Sequence, residues 1–288
     1  MIDATRGSME LTVAAVQLSS GSHAAENLEV AERYIGVAAD RGARYVQVPE
    51  YFNFLGPFSG FAEVAETVPG PTTTRMAALA KSRGLTLHLG SLLERSTEEG
   101  RFFNTSVVLG PDGSIVATYR KIHLFDVNLP GAIVHRESDV TVPGDEMVVA
   151  PLAGFHLGMS ICFDVRFPEL YRALALAGAD VLAIPAAFNA VTGRAHWELL
   201  VRARAVENHA FVVAAAQVGT TAEGIATYGH SLIVDPWGAV LAESTTDGPE
   251  VIVATLDLGE VARRREQIAV MDFRRPNIYD REVRIARD

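Results

Sequence analysis

The chain has 288 residues, and 49% of them are apolar, which is enough for the core of one large domain or two smaller ones. The formal net charge of −10 excludes a broad basic surface, so we expect neither a nucleic-acid partner nor an anionic membrane partner. No apolar stretch reaches the roughly 18 to 20 residues that a membrane-spanning helix requires.

The first residues of the chain give no sign of a targeting segment. Residues 1–8 have neither the apolar core nor the basic start of a signal peptide, so we expect a cytoplasmic protein with a reduced thiol. Residues 1–10 are expected to form an N-terminal extension, and Met9 is an alternative start to Met1. No linker of proline, serine and glycine divides the rest, so residues 11–288 are predicted to form a single domain.

The first half of the chain alternates strand and helix patterns. In the first helix the apolar residues, such as Leu28, Ala31 and Ile35, recur at spacings of three and four and form one face. A turn signal at 111–114 joins the last two strands into a hairpin. The predicted elements are strand 11–18, helix 26–41, strand 45–48, helix 72–83, and strands 85–93, 104–109 and 115–119.

The second half repeats this order. Its predicted elements are strand 155–161, helix 168–177, strand 181–185, helix 196–208, strand 211–217 and a hairpin of strands 230–234 and 239–242. After these, Asp257 and Glu260 resemble a capping box that opens a last helix, and an apolar C-terminal arm follows from about residue 268. The repeated order predicts an α/β fold, a four-layer α-β-β-α sandwich with internal pseudo-two-fold duplication. An ordinary doubly wound sheet is the alternative.

Cys162 is the only cysteine, and it follows the apolar run 157–161 where a strand would end. A single cysteine can form neither an internal disulfide nor a multi-thiolate metal site. Two interpretations are left: a small buried apolar residue or a nucleophile. Taken alone, the frequent burial of free cysteine favours the first.

A cysteine nucleophile needs a base for its proton and donors for the oxyanion that forms when it adds to a carbonyl. Glu50 directly follows the buried strand 45–48, at the edge where open sheets place their ligands, and an aromatic run after it would desolvate it. Lys121 follows strand 115–119 in the same way, and its ammonium would stabilise a thiolate or an oxyanion. The alternatives are a surface-paired glutamate and a solvated lysine.

Other hydrolase arrangements fit the sequence less well. Gly158 and Ser160 match the start of a serine-nucleophile elbow, but Cys162 stands where the second glycine is required. A Cys–His pair is an alternative, with candidates at His123, His156, His196, His209 and His230. These histidines lack the spacing of metal ligands, so we expect no metal site and no cofactor.

Three segments together resemble the nitrilase superfamily of carbon-nitrogen hydrolases. They are Val48-Pro49-Glu50, the run YRKIHLFD at 119–126 and the run GMSICFDVRFPEL at 158–170, and the resemblance extends from about Leu11 to Tyr279. It implies a catalytic triad of Glu50, Lys121 and Cys162. It also implies a second glutamate between the lysine and the cysteine, at the position of Glu137.

Further segments look like one branch of that superfamily. Residues 192–200 and 202–208 resemble deaminated glutathione amidases and omega-amidases, and residues 212–217, 228–231 and 235–238 favour the deaminated glutathione side. Arg194 departs from the proline that is common in this branch. Because we expect it near the substrate mouth, it leaves the identity of the substrate open.

The resemblance implies a thiol amidase that acts on a small carboxylate-bearing substrate. Glu50 takes the thiol proton and Cys162 attacks the amide carbonyl, while Lys121 and the backbone N–H of Phe163 hold the oxyanion. Glu137 orients Lys121 and the substrate amide. Ammonia leaves, and water then hydrolyses the thioester.

Three further residues are candidates for binding the substrate. Arg166 and Arg194 could each bind a substrate carboxylate through a bidentate guanidinium, and Asn189 could present backbone groups. The alternatives are an ion pair of Arg166 with Glu169 or Asp164, and a simple turn at Asn189. His196 is expected to start a helix rather than touch substrate.

The alternative functions are those of enzymes with the same triad and of proteins without an intact triad. Omega-amidases, N-carbamoyl amino acid amidohydrolases and nitrilases would act on another C–N group, whereas a non-catalytic interaction protein would show a broken triad. The helices predicted at 168–177 and 196–208 form a self-complementary dimer surface in the superfamily, so the resemblance also implies at least a homodimer.

Overall fold

The computed structural model describes residues 10–129, 131, 133–279, 281–283 and 285. The expected extension at 1–10 therefore lies outside the described residues except for Glu10. The described helices are α1 (Ala24–Asp40), α2 (Phe61–Val64), α3 (Pro71–Arg83), α4 (Pro168–Leu176), α5 (Ala190–Asn208), α6 (Gly259–Gln267) and α7 (Pro276–Tyr279). None of them is long and apolar enough to cross a membrane.

The described strands fall into two large sheets and two small hairpins. They are β1 (Glu10–Gln17), β2 (Tyr45–Val48), β3 (Thr86–Leu89), β4 (Leu92–Arg95), β5 (Phe102–Leu109), β6 (Ile115–Arg120), β7 (Asp126–Leu129), β8 (Ile133–Arg136), β9 (Val149–Leu152), β10 (Phe155–Met159), β11 (Val181–Ala183), β12 (Phe211–Ala214), β13 (Val218–Thr220), β14 (Ala226–Tyr228), β15 (Leu232–Val234), β16 (Val240–Glu243) and β17 (Glu250–Asp257).

Both large sheets follow one plan. Within the described residues the first has the order β17-β1-β2-β3-β5-β4 with β6 beside β5, and the second has the order β16-β15-β12-β11-β10-β9. In the first, β1, β2 and β3 are parallel and an antiparallel β5–β6 pair follows. In the second, β10, β11 and β12 are parallel and an antiparallel β15–β16 pair follows. The predicted duplication is confirmed.

The two sheets face each other across one apolar core. Val13 of β1 and Leu157 of β10 are fully buried in the same cluster. Ile35 of α1 and Met76 of α3 belong to a second cluster, which covers the outer face of the first sheet. Leu174 of α4 packs against β10 on the outside of the second sheet. The α-β-β-α sandwich is therefore confirmed, and the doubly wound alternative is wrong.

The strand predicted at 85–93 is two strands, because the chain breaks at Gly90. A Cβ atom at Gly90 would lie 2.0 Å from the carbonyl oxygen of Pro49, so only glycine fits beside the turn that follows β2. β3 and β4 consequently pair with different parts of β5. This break brings the chain close to the backbone beside Glu50.

Two predicted helix starts are also different. α5 begins at Ala190 rather than at His196, because the side chain of Asn189 accepts a hydrogen bond from the N–H of Val191 at 2.8 Å and caps the helix. The capping box predicted for Asp257 and Glu260 does not form at the start of α6. Glu260 instead pairs with Arg263 and Arg264 within α6.

Candidate active site

Cys162 lies where the chain leaves β10 and begins a short 3₁₀ turn, Cys162–Arg166. Its φ of 47° is unusual for a residue other than glycine, and such backbone conformations are often found at functional sites. Its N–H donates to the carbonyl of Pro185 at 2.9 Å, which fixes the turn to the end of β11. The side chain is 7% exposed and lines a cavity.

Glu50 directly follows β2 and is only 2% exposed, so it is not a surface glutamate. Its Oε1 atom accepts hydrogen bonds from Lys121 Nζ and from Asn104 Nδ2, both at 2.9 Å. Its Oε2 atom accepts the N–H of Ala187 at 2.8 Å. The last bond connects Glu50 of the first sheet to the second sheet.

Lys121 directly follows β6 and is as buried as Glu50, so it is not a solvated lysine. Its Nζ atom lies between two carboxylates, 2.9 Å from Glu50 Oε1 and 2.8 Å from Glu137 Oε2. Burial alone would lower the pKa of Lys121, but Glu137 and Glu50 outweigh it and raise that pKa well above its usual value. The ammonium is therefore charged in the folded protein.

Glu137 opens a second 3₁₀ turn, Glu137–Asp139, after β8. Besides Lys121, its carboxylate accepts the N–H of Phe125 at 2.7 Å and the hydroxyl of Tyr51 at 3.1 Å. Burial would raise the pKa of Glu137, but the ammonium of Lys121 and the hydrogen bonds from Lys121, Phe125 and Asn104 together outweigh burial, and the pKa is lowered. Glu137 is thus an ionised neighbour that holds Lys121 in place.

The surroundings of Cys162 favour the neutral thiol, whereas those of Lys121 favour the charged ammonium. Burial and then the carboxylate of Glu50 raise its pKa well above the usual value, although Lys121 acts in the opposite direction. The resting group is therefore a thiol near the carboxylate of Glu50, which lines the same cavity. Such a thiol needs a base at the moment of attack, and Glu50 is in place to act as one.

The sequence reasoning missed Asn104 and did not separate Tyr51 from its aromatic neighbours. Asn104 is fully buried in β5, and its Nδ2 atom donates to both Glu50 and Glu137, at 2.9 and 3.1 Å. Tyr51 has a φ of 55° and donates to Glu137. The available signal was a buried amide inside a strand that otherwise packs in the core.

Cys162, Glu50, Lys121 and Glu137 all line one cavity of about 340 Å³. Among the described residues, the cavity also has a largely aromatic wall, formed by Tyr51, Phe54, Phe58, Phe61, Phe125, Phe163 and Phe188. Glu50, Lys121 and Glu137 thus form one hydrogen-bonded group of charges in a mostly apolar lining, which also contains Glu223. A few polar groups in an apolar cavity are typical of a small-molecule site.

Two of the residues predicted to contact substrate, Phe163 and Asn189, line this cavity. The N–H of Phe163 precedes the first hydrogen bond of its 3₁₀ turn, which the N–H of Asp164 donates to Ile161. It is thus a backbone donor that the turn does not use. Asn189 lines the cavity at the start of α5, which its side chain caps.

Arg166 lies beside the cavity rather than in its lining. Its guanidinium carbon is 5.6 Å from the ring centroid of Phe163 and 5.2 Å from that of Phe188, and both rings face the cavity. Within the described residues it forms no ion pair with Glu169 or Asp164. Burial lowers its pKa from the usual value.

The structure does not bring Arg194 to the cavity of Cys162. Thr192 of α5 lines that cavity, and Arg194, two residues further along the helix, projects about 200° away from it. Arg194 lines a neighbouring cavity with Tyr228 and Asp247 instead. Its expected place near the substrate mouth stays a prediction, because the two cavities are neighbours that share Ala226 in their linings.

The histidines considered as partners of Cys162 do not line its cavity in the described part of the chain. They are His123, His156, His196, His209 and His230. His123, for example, forms a 2.7 Å hydrogen bond with Asp164. The described residues also contain no group of three or more histidine, cysteine, aspartate or glutamate side chains that could hold a metal ion.

Comparison with known proteins agrees with this arrangement. The carbon-nitrogen hydrolase family model matches residues 12–266. The chain is 39% identical to the omega-amidase NIT2 of Homo sapiens over 94% of its own length and 98% of that protein. It is 41% identical to the deaminated glutathione amidase of Bos taurus over 93% of its own length and 83% of that protein.

A solved structure gives the same result. Nit3 of Saccharomyces cerevisiae, a member of branch 10 of the nitrilase superfamily, superposes with a TM-score of 0.81 at 32% identity, over 90% of this chain and 94% of that one. The chain therefore belongs to the carbon-nitrogen hydrolase family of the nitrilase superfamily, and it is a hydrolase of C–N bonds other than peptide bonds.

Proposed function

We propose that the protein is a thiol amidase in which Glu50, Lys121 and Cys162 hydrolyse the amide of a small carboxylate-bearing substrate. The observation that carries this proposal is the buried ammonium of Lys121, bonded to two carboxylates beside the only cysteine of the chain. Burying charged groups together costs free energy, and such buried clusters are often found at functional sites. Activating a thiol for attack on a carbonyl is a function that this cluster can serve.

In the first half of the reaction, Glu50 accepts the proton of Cys162 as the sulfur adds to the amide carbonyl carbon. The carbonyl oxygen becomes an oxyanion, which Lys121 Nζ and the N–H of Phe163 stabilise. Glu50 then passes the proton to the amide nitrogen, the C–N bond breaks, and ammonia leaves. A thioester between the acyl group and Cys162 is left.

In the second half, Glu50 takes a proton from a water molecule, and the resulting hydroxide attacks the thioester carbonyl. The C–S bond breaks, the proton returns to the sulfur, and a carboxylic acid leaves. Glu137 takes no proton in this sequence. Its part is to hold the lysine ammonium beside the reacting carbonyl and to help orient the substrate amide.

Arg166 is the residue we propose for the carboxylate of the substrate. It is partly buried, it lies against two rings of the cavity wall, and it has no described carboxylate partner. Asn189 is proposed to present backbone groups on the opposite wall. Arg194 is not part of this proposal, because it faces the other cavity.

Deaminated glutathione is the proposed substrate type, and an omega-amide such as α-ketoglutaramate is the second candidate. Both follow from the relatives, which match to a similar degree. A cavity of about 340 Å³ is in the usual range for small-molecule sites and does not separate the two. The first is proposed because residues 212–217, 228–231 and 235–238 resemble the deaminated glutathione side of the branch.

A substrate panel tests the proposal. It contains both candidates, an uncharged aliphatic amide, an N-carbamoyl amino acid and a nitrile, and ammonia release is measured for each. The proposal predicts the highest kcat/KM for deaminated glutathione, and Arg166→Gln should raise KM about tenfold for it while changing little for the uncharged amide. Turnover confined to the nitrile or the carbamoyl compound would contradict the proposal.

We also propose that the protein is a cytoplasmic homodimer built on one domain, residues 11–288, with a C-terminal arm from about 268. Leu176 of α4 and Leu199 of α5 are exposed, the latter by 68%, and Phe273 of the arm is 81% exposed. Single exposed apolar side chains are common on monomers, but Leu176 and Leu199 lie on the two helices expected to form the dimer surface, where a shared apolar patch would be covered. Light scattering in solution should give the mass of a dimer, and the mass of a monomer would contradict this.

A further inference from the structure

Asp164, two residues after Cys162, has a fully buried carboxylate that accepts four hydrogen bonds. Its Oδ2 atom accepts the N–H of Ile161 at 2.8 Å and the hydroxyl of Tyr119 at 2.7 Å. Its Oδ1 atom accepts the N–H of His123 at 3.1 Å and bonds to its Nδ1 atom at 2.7 Å. Each oxygen thus binds one backbone group and one side chain.

These four donors come from two chain segments that carry the proposed catalytic groups. Tyr119 and His123 lie two residues before and two residues after Lys121, at the end of β6 in the first sheet. Ile161 directly precedes Cys162, after β10 in the second sheet. One carboxylate therefore connects the lysine segment to the cysteine turn across the two sheets.

The cysteine turn needs such support. Cys162 has a φ of 47°, and a strained backbone persists only where the surroundings hold it. The bond from the N–H of Ile161 to Asp164 closes the turn around the cysteine. On the other side, the ring of His123 stacks on Phe167, with centroids 3.6 Å apart and planes within 7°.

We infer that Asp164 is a positioning residue, which sets the distance and direction between Lys121 and Cys162 by bonding to the chain on both sides. This inference rests on the proposed amidase function, in which the ammonium must meet the oxyanion formed on the acyl carbon. Asp164 does not itself line the cavity. It acts through the two segments that it joins.

Asp164→Asn tests the inference, because asparagine has the same shape but its amide nitrogen cannot accept the hydrogen bonds that one oxygen accepts now. The concentration of reactive sites is determined by labelling Cys162, the single cysteine, and kcat is calculated from that concentration. We expect kcat to fall about 100-fold while KM stays within about threefold, since a small displacement of reacting groups lowers the rate without removing substrate contacts.

Glu94→Gln is the matched control. The Glu94 carboxylate is also buried, and it accepts hydrogen bonds from Thr105 and from two nitrogens of Arg120, the residue next to Lys121. None of these bonds reaches the turn of Cys162. This variant should lose thermal stability to a similar extent, with kcat and KM both within about threefold of the parent.

Tyr119→Phe is a second test variant. If Asp164→Asn does not fold, the kinetics of Tyr119→Phe decide whether Asp164 is a positioning residue. It keeps the ring and removes the hydroxyl, which donates to Asp164 and also accepts the N–H of Ile122 at 3.3 Å. We expect kcat to fall about tenfold with KM unchanged. Iodoacetamide labelling of Cys162 gives a second readout that needs no substrate. The labelling rate should fall in Asp164→Asn, because the thiol is displaced from Glu50, and should be unchanged in Glu94→Gln.

The inference is overturned if Asp164→Asn, or Tyr119→Phe in its place, keeps the parent's kcat and labelling rate. It is equally overturned if Glu94→Gln loses as much kcat per reactive site as Asp164→Asn does. Failure of the proposed function looks different: the parent protein would then release no ammonia from any amide, while the labelling rates would still report whether Asp164 places the thiol.

Discussion

Lys121 is the only cation among the described residues that bonds to Glu50 or Glu137. Glu50 and Glu137 are each 2% exposed, and each also binds neutral donors such as Asn104. Buried charges of one sign are stable only beside the opposite sign. The lysine therefore stabilises the site as well as the proposed oxyanion.

Lys121→Met tests both parts of this account. Without the ammonium, one of the two carboxylates should take up a proton, and the oxyanion should lose its strongest donor. We expect kcat to fall about 100- to 1000-fold, measured as ammonia release, and the melting temperature to fall as well. Lys81→Met, which replaces the chain's only other lysine at an exposed position of α3, should change neither.

The pH dependence of stability gives a separate test of Glu137. Its pKa is lowered in the folded protein, so its contribution to stability is present above the unfolded value of about 4.3 and is lost as the pH falls through the folded pKa. Glu137→Gln should cost about 1–3 kcal/mol at pH 7, because it removes the charged acceptor of the bonds from Lys121, Phe125 and Tyr51, while Lys121 keeps its pair with Glu50.

That difference in the free energy of unfolding should shrink as the pH is lowered below 4, and urea unfolding at several pH values measures it. The control is Glu198→Gln, which breaks the half-exposed pair with Arg202 on α5 and should cost at most about 1 kcal/mol. A pH-independent difference for Glu137→Gln would contradict the lowered pKa.

The position of each side chain proposed to be catalytic depends on the element that ends before it. Glu50, Lys121 and Cys162 follow β2, β6 and β10, and the sequence predicted each of these strand ends within a few residues. Apolar runs followed by a charged or reactive residue are strong local signals. Contacts made across the fold carry no such signal, which explains why Asn104 was missed within β5.

The start of α5 shows the same limit on prediction. Periodicity placed the helix from His196, whereas the structure begins it at Ala190 with Asn189 as its cap. Residues 190–195 include Gly193 and two β-branched residues, which have low helix propensity, so packing against β14 decides the first turn. The same shift in α5 explains why Arg194 does not reach the cavity.

Asn189→Ala should therefore destabilise the protein by about 1 kcal/mol through loss of the helix cap. Asn189→Ser, which keeps a capping oxygen, should restore most of that loss. Urea unfolding of the two variants measures both effects. Equal stability of the alanine and serine variants would show that the side chain does not act as a cap.

On the scale of the whole molecule, the sandwich brings strand ends from both sheets to one cavity. The side chain of Gln217, beyond β12, donates to the backbone carbonyl of Glu50 at 3.0 Å and accepts the N–H of Ser20 at 3.0 Å. Together with the bond from Ala187 to Glu50, this joins the sheets at the site. The duplication was predictable from the repeated order of elements, whereas these bonds between sheets were not.

The most direct measurement of the central claim is the intact mass of the protein, quenched in acid during turnover of the preferred amide. The account predicts an added mass equal to the acyl group without ammonia, located on the peptide that contains Cys162. The adduct should be absent from Cys162→Ala, which should remain folded and inactive. Turnover by Cys162→Ala, or an acyl group on any other residue, would contradict the assignment of Cys162 as the nucleophile.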